Sequence, residues 1–266
     1  MRVLVRRPVA EYANDSGIQM VVGDLGDPRI VDHAVAGVTT VYHVGAAMRG
    51  SPRDFEAGTV WGTRNVIDAC GRHGTRRLVH VSSMGVLDHA GRGPDEKVDE
   101  SYRHEPLPAL RGAYTRTKLQ AEQMVVEAMH DGLPAVVLRP GQIFGPGAER
   151  VTPNGVVALA GRWIAVGDGA CTLPLVYVDD VVDALLLAGE APDATGGVIN
   201  VVDPATVTQS DYIARCRERF GKELPTVRVP GFFFMGLAAS PGAAGDASRC
   251  SHRGERPRGP SPLRLG

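Results

Sequence analysis

Tyr114 and Lys118 stand four residues apart in the segment YTRTK. On a helix that spacing puts both side chains on one face. An ammonium beside a phenol favours the phenolate and lowers the tyrosine's pKa. The phenol can then give or take a proton at a carbonyl or hydroxyl near neutral pH. Taken alone, such a pair equally describes a solvated surface contact. Here it has company. LVHVSSMGVL, residues 78–87, is an apolar run ending in two serines. A hydroxyl at the C-terminal end of a strand sits where open α/β sheets bind ligands. VVLRPGQIFGPG, residues 136–147, is a second apolar run that enters a Pro/Gly turn. Singly, Ser82 and Ser83 also fit as turn or cap residues, and Arg139-Pro140-Gly141 as a plain strand end. The order and spacing of the segments argue for a site.

The elements that must position these groups are legible as an alternation. Short β-branched runs predict strands at 2–5, 40–44, 77–81, 135–138 and 198–202. Helical spacing of apolar residues predicts helices at 55–72, 113–130, 180–188 and 209–220. The early strands are continuously apolar, as strands covered on both faces are. The expected fold class is therefore α/β, a doubly wound parallel sheet. No internal repeat interrupts the alternation.

Composition removes several function classes. The 266 residues suffice for one large domain or two small ones, and 43% hydrophobic with 22% charged residues is a globular balance. A formal net charge of −1 gives no reason to expect nucleic acid or a membrane surface as partner. No basic stripe interleaved with aromatics lies outside the tail. Cys70, Cys171, Cys216 and Cys250 form no CxxC pair and no Cys/His cluster. Neither a metal site nor a disulfide framework is expected, and a reduced, cytoplasmic setting is the default. No run reaches the roughly 18 apolar residues of a membrane span. Residues 241–266 lack Val, Ile, Phe, Tyr and Trp and hold five Arg, four Pro and five Gly. Such a segment is expected to be disordered. A basic tail for an acidic partner and a tail translated out of frame are the other readings.

In this order the segments resemble the extended short-chain dehydrogenase/reductase family, the NAD(P)-dependent epimerases, dehydratases and ketone reductases. The resemblance runs from about Arg2 to about Pro230. It implies a Rossmann-like NAD(P)-binding domain over residues 1–150 and most of a substrate lobe over 151–240. The family's V(S/T)SxxV pattern matches Ser83 as the catalytic serine, with Ser82 as the alternative. The resemblance implies that Tyr114 is the acid/base and that Lys118 lowers its pKa and holds the nicotinamide ribose. It implies that Ser83 hydrogen-bonds the substrate oxygen. VVGDLGDP matches a strand whose end offers Asp24 to the adenine amino group, with Leu25 next. VYHVGAAM matches the loop under the cofactor, where Ala46 and Ala47 allow close approach. Its His43 reads as a packed strand histidine. Pro140 and Ile143 are expected to border the cofactor. Gly62, Thr63 and Asn65 fit the family's GTxN helix. Residues 173–188 match the strand and helix that close the substrate lobe, with Asp179 as helix cap.

In this family the cofactor's pyrophosphate rests on a GxxGxxG turn between the first strand and first helix. The first 60 residues hold no such turn, and residues 2–7 instead match the second strand. The resemblance thus implies an N-terminally truncated member, short of about 30 residues and of the sheet's first strand. Arg6, with Arg7 next, stands where NAD-preferring relatives place an acid. Arginine suits a 2′-phosphate, so NADP is expected over NAD. The implied activity is hydride transfer at a carbinol or ketone carbon of a small molecule, a sugar nucleotide or a hydroxy-ketone. Net reduction and epimerisation both stay open. Arg150, Arg162 and Arg215 are candidates for holding a nucleotide diphosphate. A dehydratase is disfavoured, since Met84-Gly85 replaces the acid those relatives carry. The competing reading is an inactive fragment without a pyrophosphate site. A homodimer through helices 55–72 and 113–130 is expected by analogy.

Overall fold

The computed structural model describes residues 1–89, 96–148, 151–220 and 225–230. Arg150 and the tail 241–266 lie outside the described residues. By its contacts the chain divides into two units. The first holds Met1–Pro140 and Val182–Val201, and the second Gly141–Val181 and the chain from Val202 onward.

Strand β1 (Arg2–Val5) pairs in parallel with β2 (Gln19–Val22), the short helix α1 (Ala10–Ala13) lying between them in the chain. Helix α2 (Pro28–Val35) starts at Asp27, whose carboxylate accepts from the Arg29 amide, with Pro28 preset for the first turn. Strand β3 (Thr40–His43) leads to α3 (Pro52–Phe55), begun by a reciprocal Ser51/Asp54 capping box. A π-helical turn, Glu56–Trp61, precedes α4 (Gly62–His73), which ends at Gly74 with φ 60°. The helix expected over 55–72 is therefore broken by a wider turn. That turn carries Gly58 close to Ala47, where an added Cβ would lie 3.3 Å from the Ala47 Cβ. Strand β4 (Arg77–Val81), α5 (Ala113–His130) and β5 (Ala135–Pro140) complete the run.

The second unit contributes β6 (Gln142–Phe144), β7 (Val156–Leu159), β8 (Arg162–Val166), β9 (Thr172–Leu173) and β10 (Leu175–Tyr177). Helix α6 (Val178–Glu190) and strand β11 (Val198–Val201) return the chain to the first unit. Strand β12 (Val207–Thr208), α7 (Gln209–Phe220) and β13 (Thr226–Val229) follow. The second unit's core centres on Trp163, stacked on Tyr212 at 6.4 Å. Asp179 was expected as a cap. It lies instead inside the first turn of α6, because the helix starts at Val178, two residues before the expected start at 180. There its charge meets the positive end of the helix dipole.

The first unit is Rossmann-like. β3, β4, β5 and β11 form a four-stranded parallel sheet in the order β11-β5-β4-β3. Alternate residues feed two cores. Leu78, Ala135 and Val137 pack with Val31, Val66 and Val125 of α2, α4 and α5 on one face. Val79, Val136 and Leu138 pack with Ala184, Leu185 and Ala188 of α6 on the other. This double coverage explains the unbroken apolar runs. Among the described residues, β1 pairs only with β2 and β3 only with β4. Leu4 of β1 and Val41 of β3 still pack against the same core. β5 is buried throughout and β4 nearly so, whereas β1 is half-buried along its length and Tyr42 of β3 is exposed. No helix among the described residues is long and apolar enough to cross a membrane.

Candidate active site

β4 ends at Val81 and delivers Ser82 and Ser83. Ser83 caps the one-turn helix Met84–Val86, its Oγ accepting from the Gly85 amide at 3.0 Å. α5 lays its first two turns over this strand end. The Lys118 Nζ donates to the Val81 carbonyl, and Ser83 lies near enough to the Tyr114 phenol to lower its pKa. Ser83, Tyr114 and Lys118 are thus brought together. Lys118 is only 3% exposed. Burial pushes its pKa down to about 8, against the upward pull of Glu122. Burial pushes the Tyr114 phenol up, and the Ser83 side chain pulls the other way. The expectation that Lys118 would lower the tyrosine is not met in this state. Burial dominates, and the lysine's ammonium is directed to the Val81 carbonyl.

Behind the strand end lies a buried polar cluster that the sequence did not reveal as such. The Ser82 hydroxyl donates to Glu122, and Arg139 donates to both Glu122 oxygens, at 2.6 Å from Nη2. His104 Nε2 lies 3.0 Å from Glu122 Oε1 and 3.0 Å from Arg139 Nη2. One ring nitrogen either carries a proton or a lone pair, so the tautomer selects between these two contacts. Burial alone would raise Glu122, but His104, Arg139 and Ser82 together hold its carboxyl at about 2.

His43 and His80 stand opposite each other on β3 and β4, with ring centroids 5.1 Å apart. His43 Nε2 is 2.9 Å from Thr63 Oγ1, a packed strand histidine on the GTxN helix. Burial and then Lys118 push His43 down to about 3 and His80 well below the ordinary histidine range. Neither His80 ring nitrogen has a partner among the described residues. The folded chain thus refuses protons that the unfolded chain takes up below a pH of about 6.5. The stability linked to these rings is complete above that pH and is lost as pH falls toward the folded values. We expect the urea midpoint to fall between pH 7 and pH 5, and His80→Phe to flatten that slope. An unchanged slope in His80→Phe would remove His80 from this account.

Arg6, Asp24, Leu25, Ala46 and Ala47 line one pocket of about 370 Å³ at the ends of β1, β2 and β3. Arg49 and Asp54 also line it and were not anticipated. Arg7 is exposed and absent from that lining. Pro140 is buried at the end of β5, and Ile143 lies in the second unit on β6. The Asp24 carboxylate accepts from the Gly26 amide at 2.8 Å, and Asn65 donates to the Leu25 carbonyl at 2.8 Å. Gly62 lets α4 meet Leu25: an added Cβ would lie 2.9 Å from the Leu25 Cβ. Alanine gains about 1 kcal/mol in a helix over glycine, but overpacking costs about 1–3 kcal/mol. Leu25 Cβ is fixed to the backbone and cannot swing away. Gly62→Ala is expected to lower the denaturation midpoint, and a raised midpoint would show that the helix simply shifts.

Residues 2–201 match the model of the NAD dependent epimerase/dehydratase family. The chain is 39% identical over 183 residues to a 2-alkyl-3-oxoalkanoate reductase of Stenotrophomonas maltophilia, covering 66% of this chain and 53% of that one. It is 28% identical over 244 residues to 3beta-hydroxysteroid-dehydrogenase/decarboxylase isoform 1 of Arabidopsis thaliana, covering 86% and 55%. It thus spans about half the length of these relatives. The structure of a Thermus thermophilus UDP-glucose 4-epimerase complexed with NAD superposes with a TM-score of 0.66 at 20% identity, covering 92% of this chain and 87% of that one. At that identity the likeness concerns the fold.

Proposed function

Because the chain belongs to the NAD dependent epimerase/dehydratase family of extended short-chain dehydrogenases/reductases, we propose that it reduces a ketone, or oxidises the matching carbinol, of a small molecule with NADP(H). The observation that carries this reading is the gathering of Ser83, Tyr114 and Lys118 at the end of β4, with Lys118 held on the Val81 carbonyl. The cofactor, when bound, supplies or accepts the hydride. In the reductive direction the Tyr114 phenol gives its proton to the carbonyl oxygen, and in the oxidative direction takes it back. The Ser83 hydroxyl donates a hydrogen bond to the same oxygen, stabilising the charge that develops there. Lys118, still charged below a pH of about 8, supports the phenolate left on Tyr114. The 39% identity to a 3-oxoalkanoate reductase supports net ketone reduction over epimerisation.

The residues fit the adenosine end of the cofactor. Asp24 offers a carboxylate to the adenine amino group, Arg6 a guanidinium to a 2′-phosphate, and Ala46 and Ala47 an unobstructed backbone. The fit is incomplete at the pyrophosphate. Among the described residues no glycine-rich turn from a strand into a helix N-terminus lines this pocket. The edges of β1 and β3 left unpaired among the described residues favour a second reading, a chain that keeps the acid–base group but binds no cofactor by itself.

Fluorescence titration with NADPH, with thermal unfolding alongside, separates the two. Micromolar binding and a midpoint raised by several degrees support the reductase. No binding at millimolar concentration supports the second reading. Arg6→Ala is expected to weaken NADPH binding by about ten- to a hundredfold, the value of one hydrogen bond to a charged group, and to leave NADH unchanged. Equal loss for both cofactors would sink the 2′-phosphate assignment.

A further inference from the structure

Glu122 takes no part in the chemistry just described, yet it is fully buried and hydrogen-bonded on both oxygens. It lies one helical turn beyond Lys118 on α5. Its partners come from separate segments. Ser82 precedes Ser83 at the end of β4, Arg139 belongs to β5, and His104 sits in the bridge to Leu87. A buried ion pair is weak evidence for stability, since apolar side chains of similar size often do as well. What this pair does uniquely is fix one geometry.

We infer that Glu122 is the positioning residue of the site. It holds the helix face of Tyr114 and Lys118 in register with the strand end that bears Ser83, and its charge supports the Lys118 ammonium. The inference rests on the proposed acid–base function. His43 on β3 and His80 on β4, both neutral, feel the Lys118 charge, and Glu122 acts on Lys118 from its own helix. Glu122 is the negative charge among them. Removing it lets the ammonium deprotonate at lower pH, and the alkaline limb of the pH–rate profile moves down with it.

The test uses the chain's three lysines, Lys97, Lys118 and Lys222. With 13C at the lysine ε-carbon, NMR follows each titration without any need for turnover. One resonance is expected to titrate near 8 in the wild-type chain. Glu122→Gln/Arg139→Gln removes both buried charges together and strands neither. In it that resonance is expected to titrate lower, by less than the loss of Glu122 alone would bring, because the like charge of Arg139 leaves with it. Glu122→Asp keeps the charge and shortens the reach. It is expected to keep the Lys118 titration and to lose about tenfold in kcat, with KM unchanged, as small misplacements of reacting groups do. An unmoved Lys118 resonance in the folded double variant overturns the charge role. Wild-type kcat in Glu122→Asp overturns the positioning role. Should the double variant not fold, the kcat of Glu122→Asp alone decides. A wild-type chain that shows no turnover refutes the proposed reaction and leaves the lysine titration to decide on Glu122.

Discussion

Tyr114→Phe is expected to lower kcat by roughly 10²–10⁴-fold, the range that a positioned proton donor contributes. The substitution removes one hydroxyl and keeps the ring. Losing the phenol's interaction with Ser83 costs at most about 0.5–1.5 kcal/mol of stability, so the fold survives. NADPH affinity is expected to change by less than about twofold, since the proposed role sets the phenol on the substrate oxygen. The measurement is single-turnover ketone reduction by NADPH, with a 2-alkyl-3-oxoalkanoate, the compound in the name of the 39% identical relative, as the probe, and with cofactor affinity determined in parallel. Retention of a tenth or more of the wild-type rate would take the acid–base role away from Tyr114. A collapse of cofactor binding would mean that the phenol mainly shapes the pocket.

Arg139→Leu is expected to destabilise the chain by about 3–5 kcal/mol, the cost of stripping the partner from a buried charge. Both members of the pair are nearly inaccessible, with side chains 4% and 1% exposed. Solvent therefore cannot replace the guanidinium. Acid pH supplies the control. Held at about 2 in the fold against an ordinary 4.5, Glu122 contributes stability that is complete above the ordinary value. That stability is lost as pH falls from there toward the folded value. In the variant the same carboxyl is buried without its cation and prefers its proton. The deficit against wild type is thus expected to shrink below a pH of about 4.5. Urea midpoints for both chains at pH 7 and pH 3 decide it. A deficit that stays constant with pH would assign the loss to packing and not to charge.

Much of this site was legible because its signals are local. Helix 113–130 and strand 77–81 have the bounds expected of them, since helical period and apolar runs are written into short windows. The gathering of Arg6, Asp24, Leu25, Ala46 and Ala47 followed from the resemblance and from their shared place at strand ends. The Glu122 cluster was not legible. YTRTKLQAE shows an acid one turn past the lysine, but its partners arrive from residues 82, 104 and 139. The direction of the Tyr114 shift was misjudged for a related reason: burial is a property of the assembled fold. The break before α4 escaped because a π turn differs from an α-helix by one residue per turn, which apolar spacing does not resolve.

The unpartnered edges of β1 and β3 carry a consequence for amide hydrogen exchange. β4 and β5 are hydrogen-bonded on both sides, and their amides open only with the whole unit. β1 and β2 form a two-stranded sheet of their own, half-exposed, and are expected to exchange through a smaller, cheaper opening. One wall of the pocket at the ends of β1, β2 and β3, with Leu4, Arg6 and Asp24, belongs to the part expected to open first. Any ligand there binds only the fraction of molecules in which the wall is closed, and its apparent affinity is reduced by that fraction. Occupancy would be registered first as slowed exchange in β1 and β2, before any change in β4 or β5.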